Sequence, residues 1–385
     1  MRKVFFGTDN IITSLGLTTE ENAKQMQSDV IGIRMVGDPD LYPNPIPLSR
    51  IDTGLISHRF ADYGVTNSDR YSRLEQIFIC SIRETLKNAL IDPKDPRTLF
   101  VVSSTKGNIE LLEDRKKHLF EPERIHLWRL ADSISNYFGN PNKPLIICNA
   151  CISGSVAIMA AARMIKAGHY DHAIVTGGDA IPEFIVSGFQ SFQALSPDPC
   201  KPFDVNRTGL SLGEGCGTVI LTADGMKTGF DKPVSYLGGA TSNDANHISG
   251  PSRDGEGLYL SIAEAMKEAQ VGAEDLDFIS AHGTATPYND EMESLALTWA
   301  GLENVPVNSF KGYIGHTLGA AGVIETILSI YSIRNNVLFK SAGYSENGVS
   351  RPLNVITNHT PKTVRKVLKT ASGFGGCNAA MVVGG

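Results

Sequence analysis

An α/β fold with mostly parallel sheets is predicted, because strand–helix alternation runs through the chain twice. A chain of 385 residues is long enough for two core units, and two halves of similar layout are expected, near 1–225 and 226–385. No low-complexity linker separates them, so they should pack intimately.

The elements follow in order. Residues 3–16 read as a strand and a glycine-containing turn, and 18–27 as a helix with Thr19 near its cap. Residues 36–68 mix Pro, Asp, Gly and Ser without periodicity and read as an irregular surface segment. A helix is predicted over 70–90, where Leu74, Ile77, Phe78, Ile82 and Leu86 keep helical spacing. A strand over 98–103 and a helical excursion within 107–143 precede an apolar strand that ends at Cys148. After a helix over 153–166, residues 173–179 form a buried strand ending in glycines; 188–216 read as loop and 217–222 as strand. The cycle then restarts, with strands at 234–240 and 277–280, helices at 257–269, 290–300 and 319–335, and a last strand at 380–383.

Composition narrows the function. Apolar residues at 42% and charged residues at 20% are ordinary for a globular protein. A net charge of −6 without basic runs argues against nucleic-acid or membrane-surface binding. No apolar run is long enough for a membrane span, and the N-terminus lacks the apolar core of a signal peptide. The six cysteines have no disulfide-like framework, so a cytoplasmic protein with reduced thiols is expected.

Residues 145–155 organise the chemistry. A buried strand ends in a tight turn, and Cys151 stands where the next helix begins. First-turn N–H groups lack helical partners and the dipole is positive there, so a thiolate is stabilised and its pKa should fall. Small neighbours (Ala150, Ser153, Gly154, Ser155) leave room for a substrate. This makes Cys151 a candidate nucleophile, although a lone cysteine after an apolar strand is more often packing. The Cys148/Cys151 spacing also matches a redox pair or half a zinc site. A zinc site needs a second close pair, and Cys148 is expected to point into the sheet.

Three further stretches bear on that choice. A strand runs into His282, followed by a polar turn (Thr284, Thr286) and a helix with acids in its first turn. Strand ends in parallel sheets are where ligands bind, and a histidine there can donate to a substrate oxygen. His316, bracketed by glycines, lies ahead of a helix of small residues, with Lys311 before it and Glu325 after it as a candidate ion pair. Residues 371–380, with Gly373, Phe374, Gly375 and Gly376, read as a glycine loop able to offer N–H groups to an oxyanion. One poised cysteine, two histidines and a donor loop suit thioester chemistry: the cysteine takes an acyl group, and the histidines stabilise an enolate.

On these motifs the chain resembles the β-ketoacyl-acyl-carrier-protein synthases of the elongating Cys–His–His type. The residues that carry the likeness are Asn149 to Gly154, Ala281 to Thr286 with Asn289, Asp290 and Glu293, Lys311 to Gly322 with Glu325, and Gly373 to Asn378. They run in family order over most of the chain from about residue 145. The resemblance implies a thiolase-like fold, two similar halves in five α-β-α-β-α layers. It implies decarboxylating condensation of an acyl thioester with malonyl-acyl carrier protein. By the same likeness, Cys151 is the nucleophile, and His282 and His316 bind the malonyl thioester carbonyl. Lys311 positions the histidines with Glu325, and Phe374 serves the oxyanion hole and the gate. Thr284 and Thr286 hold the pantetheine arm, and Arg207 lies near its entrance. No metal or organic cofactor is implied, since the substrate arrives on the phosphopantetheine of an acyl carrier protein. The implied assembly is a homodimer, or a heterodimer with a paralogous synthase. Ser372 replaces a second phenylalanine common in the family, Cys377 replaces threonine or histidine, and 104–143 matches poorly. These departures resemble divergent synthases of aryl-polyene or flexirubin pigments. The alternatives are a structural chain-length-type partner subunit and a coenzyme A-dependent thiolase using Cys377 as a second cysteine.

Overall fold

In the computed structural model, which describes residues 2–65, 68–248 and 250–385, ten strands join in one mixed sheet. They are β1 (Phe5–Ile12), β2 (Thr98–Ser103), β3 (Leu145–Ile147), β4 (His172–Asp179), β5 (Gly215–Thr222), β6 (Val234–Asn243), β7 (Phe278–Ser280), β8 (Val307–Asn308), β9 (Lys366–Gly373) and β10 (Cys377–Gly384). Across the sheet the order is β8-β7-β9-β10-β6-β1-β5-β4-β2-β3. Counted outward from the centre, β6-β10-β9-β7-β8 repeats the arrangement β1-β5-β4-β2-β3. The two sets meet where Phe5 pairs with Ser235 and Phe6 with Val234.

The prediction of mostly parallel sheets needs correction. Parallel pairing joins β2 to β3 and β4, and β7 to β8 and β9. Every pair nearer the centre is antiparallel. The expected glycine loop over 371–380 is instead the tip of a hairpin between β9 and β10, and so short a connection can join only antiparallel strands.

The longer helices are α1 (Thr19–Gln27), α2 (Thr53–Asp62), α3 (Arg73–Leu86), α4 (Leu127–Tyr137), α5 (Ser153–Lys166), α6 (Glu183–Ser191), α7 (Glu256–Ala269), α8 (Pro287–Trp299) and α9 (Ala321–Asn335). Helices α5 and α9 pack on each other and on strands of both halves. Helix α3 covers the other face of the first half, with α2 and α4 on it, and α7 with α8 covers the second. With α5 and α9 between the two five-stranded sets of the sheet, the layers run helix, sheet, helix, sheet, helix. A helix apolar on every side belongs in a core, and α9 is buried over its first ten residues, Ala321 to Ile330. The middle helices approach backbone to backbone. A methyl group at Gly154 would lie 2.7 Å from the Val323 nitrogen, and one at Gly322 would lie on the Ser155 nitrogen.

Other departures are local. Helix α1 is capped by Thr18 rather than Thr19, its side chain accepting from the Glu21 N–H. Helix α3 starts later than predicted because Ser72 and Glu75 form a capping box around its first turn. The irregular segment 36–68 holds α2, capped by the Asp52 side chain on the Leu55 N–H. It also holds Ile46–Ser49, which joins Arg34–Val36 and Leu212–Gly213 in a small second sheet. Thr66 and Asn67 lie outside the described residues. Helix α6 occupies the start of the expected loop over 188–216. Strand β3 is half-buried at the edge of the large sheet, and Cys148 is exposed rather than inward, because an edge strand has a sheet neighbour on one side only. Among the described residues no helix is long and apolar enough to cross a membrane.

Candidate active site

Cys151 closes the turn between β3 and α5, one residue before the helix N-cap Ile152. The Ser153 hydroxyl ties that turn: it accepts from the Asn149 N–H at 2.8 Å and donates to the Ala150 carbonyl at 2.6 Å. Ala150 adopts φ +43°, a left-handed conformation costly for a residue with a side chain and typical of functional turns. Cys151 is 7% exposed and lines a cavity of about 410 Å³. The expected fall in its pKa does not occur. Burial pushes the Cys151 thiol up to about 12, against the opposing pulls of Lys311 and the Phe374 amide. The free site therefore holds a protonated thiol.

His282 and His316 line the same cavity, with ring centroids 5.1 Å apart and planes at 85°. His282 follows β7, and its backbone is clamped by Glu293, which accepts from the His282 N–H at 2.8 Å and the Gly283 N–H at 2.7 Å. His316 precedes α9 and is fixed through its backbone from both sides. Its N–H donates to the Ser211 carbonyl at 2.7 Å, and its carbonyl accepts from the Gly213 N–H at 3.0 Å.

Partners on the rings set their tautomers. The Lys311 ammonium, a donor only, lies 3.3 Å from His282 Nδ1, and the Leu318 N–H donates to His316 Nδ1 at 3.3 Å. Both Nδ1 atoms thus accept, leaving the proton on Nε2. His316 Nε2 is buried and has no partner among the described residues. Burial first, and the nearby lysines second, hold both imidazoles well below their ordinary pKa, so they are neutral donors at pH 7.

Behind them lies an ionic cluster. Lys311 Nζ is 2.6 Å from Glu325 Oε1 and 2.6 Å from the His282 carbonyl oxygen. Lys369, which sequence reasoning does not single out, places its Nζ 2.7 Å from Glu325 Oε2. It follows Val367 and Leu368 in a strand that also holds Lys366, Thr370 and Ser372, so the sequence carries little signal for it. Glu293 and Asp290 stand in a family motif without an assigned role. Asp290 accepts from the Thr284 and Phe203 N–H groups at 2.8 and 2.7 Å and so shapes the turn after His282.

Thr284, Thr286 and Phe374 also line the cavity, and the two threonine hydroxyls are 2.9 Å apart. Phe374 stacks on Phe189 at 5.4 Å and meets Phe192 edge-on at 5.4 Å. It is carried on a turn where Gly375 and Gly376 have φ of +84° and +73°. A side chain at Gly373 would sit 2.9 Å from the Cys151 nitrogen, so glycine keeps that amide approachable. Lys311 and Glu325 are not part of the lining. Nor is Arg207, whose guanidinium donates to the Asp204 carbonyl at 3.2 Å and to the Gly348 carbonyl. Cys377 is absent from the lining too; its thiol, raised to about 11 by burial, lies 3.4 Å from the Phe374 carbonyl.

Comparison with known proteins fits this geometry. Residues 14–224 match the family model "Beta-ketoacyl synthase, N-terminal domain", and residues 235–345 match "Beta-ketoacyl synthase, C-terminal domain". The chain is 34% identical over 266 residues to a 3-oxoacyl-[acyl-carrier-protein] synthase 2 of Rhizobium meliloti, covering 65% of this chain and 62% of that protein. It is 28% identical over 339 residues to a synthase of the same name from Staphylococcus aureus, covering 81% and 82%. Among solved structures, the ishigamide ketosynthase/chain length factor aligns with a TM-score of 0.88 at 26% identity, over 100% of this chain and 99% of that one. A ketosynthase in complex with its chain length factor from Xenorhabdus doucetiae shares the fold, with a TM-score of 0.83 at 24% identity and coverage of 100% and 98%.

Proposed function

The chain belongs to the beta-ketoacyl synthase family, and from that premise we propose that it condenses an acyl thioester with malonyl-acyl carrier protein, giving 3-oxoacyl-acyl carrier protein and carbon dioxide. The observation that carries the reading is His316 Nε2, a buried donor without a protein partner among the described residues, on the wall of the cavity that also holds Cys151 and His282.

In the first half-reaction the Cys151 sulfur attacks the acyl carbonyl. A new carbon–sulfur bond forms, the bond to the pantetheine sulfur breaks, and the thiol proton ends on the departing pantetheine. The Cys151 and Phe374 N–H groups receive the transient oxyanion. In the second, the malonyl carbon–carbon bond breaks, carbon dioxide leaves, and the electron pair remains as an enolate. The Nε2–H groups of His282 and His316 hold the enolate oxygen. The enolate carbon then attacks acyl-Cys151, and the thiolate leaves and takes a proton from solvent.

The other residues serve this sequence. Lys311 and Glu325 hold His282, Thr284 and Thr286 hydrogen-bond the pantetheine arm, and Phe374 gates the cavity. Arg207 steadies the loop beside the mouth where the carrier protein docks. No metal or organic cofactor is required, since the imidazoles carry the charge stabilisation and pantetheine arrives on the carrier. A cytoplasmic, dimeric protein is the setting that fits six free thiols and the half-exposed edge of β3. The partner is a second copy or a paralogous synthase.

Intact-protein mass spectrometry with acyl and malonyl carrier proteins tests the reading. The expected result is an acyl adduct on Cys151, then a 3-oxoacyl product on the carrier. A second reading, a partner subunit that shapes the pocket of an active paralogue, is favoured by the likeness to the ishigamide ketosynthase/chain length factor structure. An unacylated Cys151 under these conditions would select it.

A further inference from the structure

Lysine is almost never fully buried without a partner, and Lys369 is buried in the middle of β9. It is opposite Ser280 of β7, two residues before His282, and its neighbour Thr370 donates through Oγ1 to Glu293 at 2.6 Å. Its ammonium lies 2.7 Å from Glu325 Oε2 and 3.3 Å from the Ser280 carbonyl, and donates also to the Thr370 carbonyl. One carboxylate therefore bridges two buried lysines, since Glu325 Oε1 is taken by Lys311 at 2.6 Å.

That sharing has a consequence for Lys311. With the second oxygen of Glu325 held by Lys369 in ionic contact, and making no hydrogen bond among the described residues, Lys311 forms a single contact to the carboxylate, and its other protons face the His282 carbonyl at 2.6 Å and Nδ1 at 3.3 Å. A carboxylate released from Lys369 is free to take Lys311 through both oxygens and draw it off the imidazole.

We infer that Lys369 is a positioning residue for decarboxylation: by occupying one oxygen of Glu325 it keeps Lys311 on His282 Nδ1 and so keeps the His282 proton on Nε2. This rests on the condensing reaction proposed above. The charged and titratable groups in the cluster are Glu325 on α9, Lys311, Glu293 on α8, His282 and His316. Lys369 also helps to hold both imidazoles neutral, so its removal raises their pKa.

Lys369→Met keeps the length of the side chain and removes the ammonium. Malonyl decarboxylation should fall by about 10- to 100-fold, as expected when an electrostatic donor is misplaced rather than deleted. The rate of Cys151 acylation should be unchanged, and the acid limb of the decarboxylation profile should move to higher pH. Lys369→Gln, which retains a donor for the Ser280 carbonyl, is measured in parallel with the same readouts, so that a folding defect in one variant does not decide the matter. A folded variant with wild-type decarboxylation and an unmoved acid limb overturns the inference. A wild-type protein that decarboxylates no malonyl carrier protein overturns the function itself, so the two failures are separable.

Discussion

The halves of the molecule share a strand order and differ in how they support the groups proposed to react. In the first half, Cys151 follows the outermost strand β3, and small residues and a strained Ala150 surround it. In the second, His282 follows β7 and His316 lies beyond the outermost strand β8, backed by Lys311, Lys369, Glu325 and Glu293. The difference fits the two tasks proposed above. A sulfur that must bond carbon and release it is served by open space and N–H groups, whereas donors that must not move are served by a buried ionic frame.

The sharpest way to break the comparison is to remove each reactive group in turn. Cys151→Ala should lower condensation by at least about a thousandfold while the protein keeps its fold, measured as product on the carrier and by thermal unfolding. His316→Ala should lower malonyl decarboxylation by about 10² to 10³, yet leave the Cys151 adduct visible by mass spectrometry. If both variants lose acylation, the division of labour is wrong.

At the seam between the halves, Gly154→Val should destabilise by about 3 kcal/mol in chemical denaturation, because the helix backbones leave no room for a side chain. The thiol chemistry gives a graded test. With its pKa pushed up to about 12, Cys151 gains thiolate as pH rises, so alkylation should quicken by about tenfold per pH unit between pH 7 and 10. A plateau near pH 8 would mean that the helix terminus outweighs burial. The smallest effect is expected at the rim, where Phe192→Ala removes the edge contact on Phe374 and should change KM for the carrier substrate by about threefold, with kcat little altered.

Local pattern makes much of this legible. The strand over 98–103 and the helix over 153–166 have the bounds that their apolar runs suggest, and Cys151 and His282 after strands and His316 ahead of a helix all line one cavity. What escapes depends on packing across layers. Cys148 reads as inward because it ends an apolar run, but whether a strand is covered is decided by its place in the sheet. The acidity of Cys151 is misread from sequence because a helix terminus is visible there while the degree of desolvation is not. Lys369 goes unnoticed because the residue that shares its charge, Glu325, is remote in sequence.

The meeting of Gly154 and Gly322 carries a mechanical lesson. Each glycine lies a few residues downstream of a proposed catalytic side chain, Cys151 and His316, on one of the two middle helices. Sulfur and imidazole are therefore mounted on a pair of spars pinned at one bare spot, where peptide rests on peptide. Outer loops can drift without altering the gap between sulfur and imidazole.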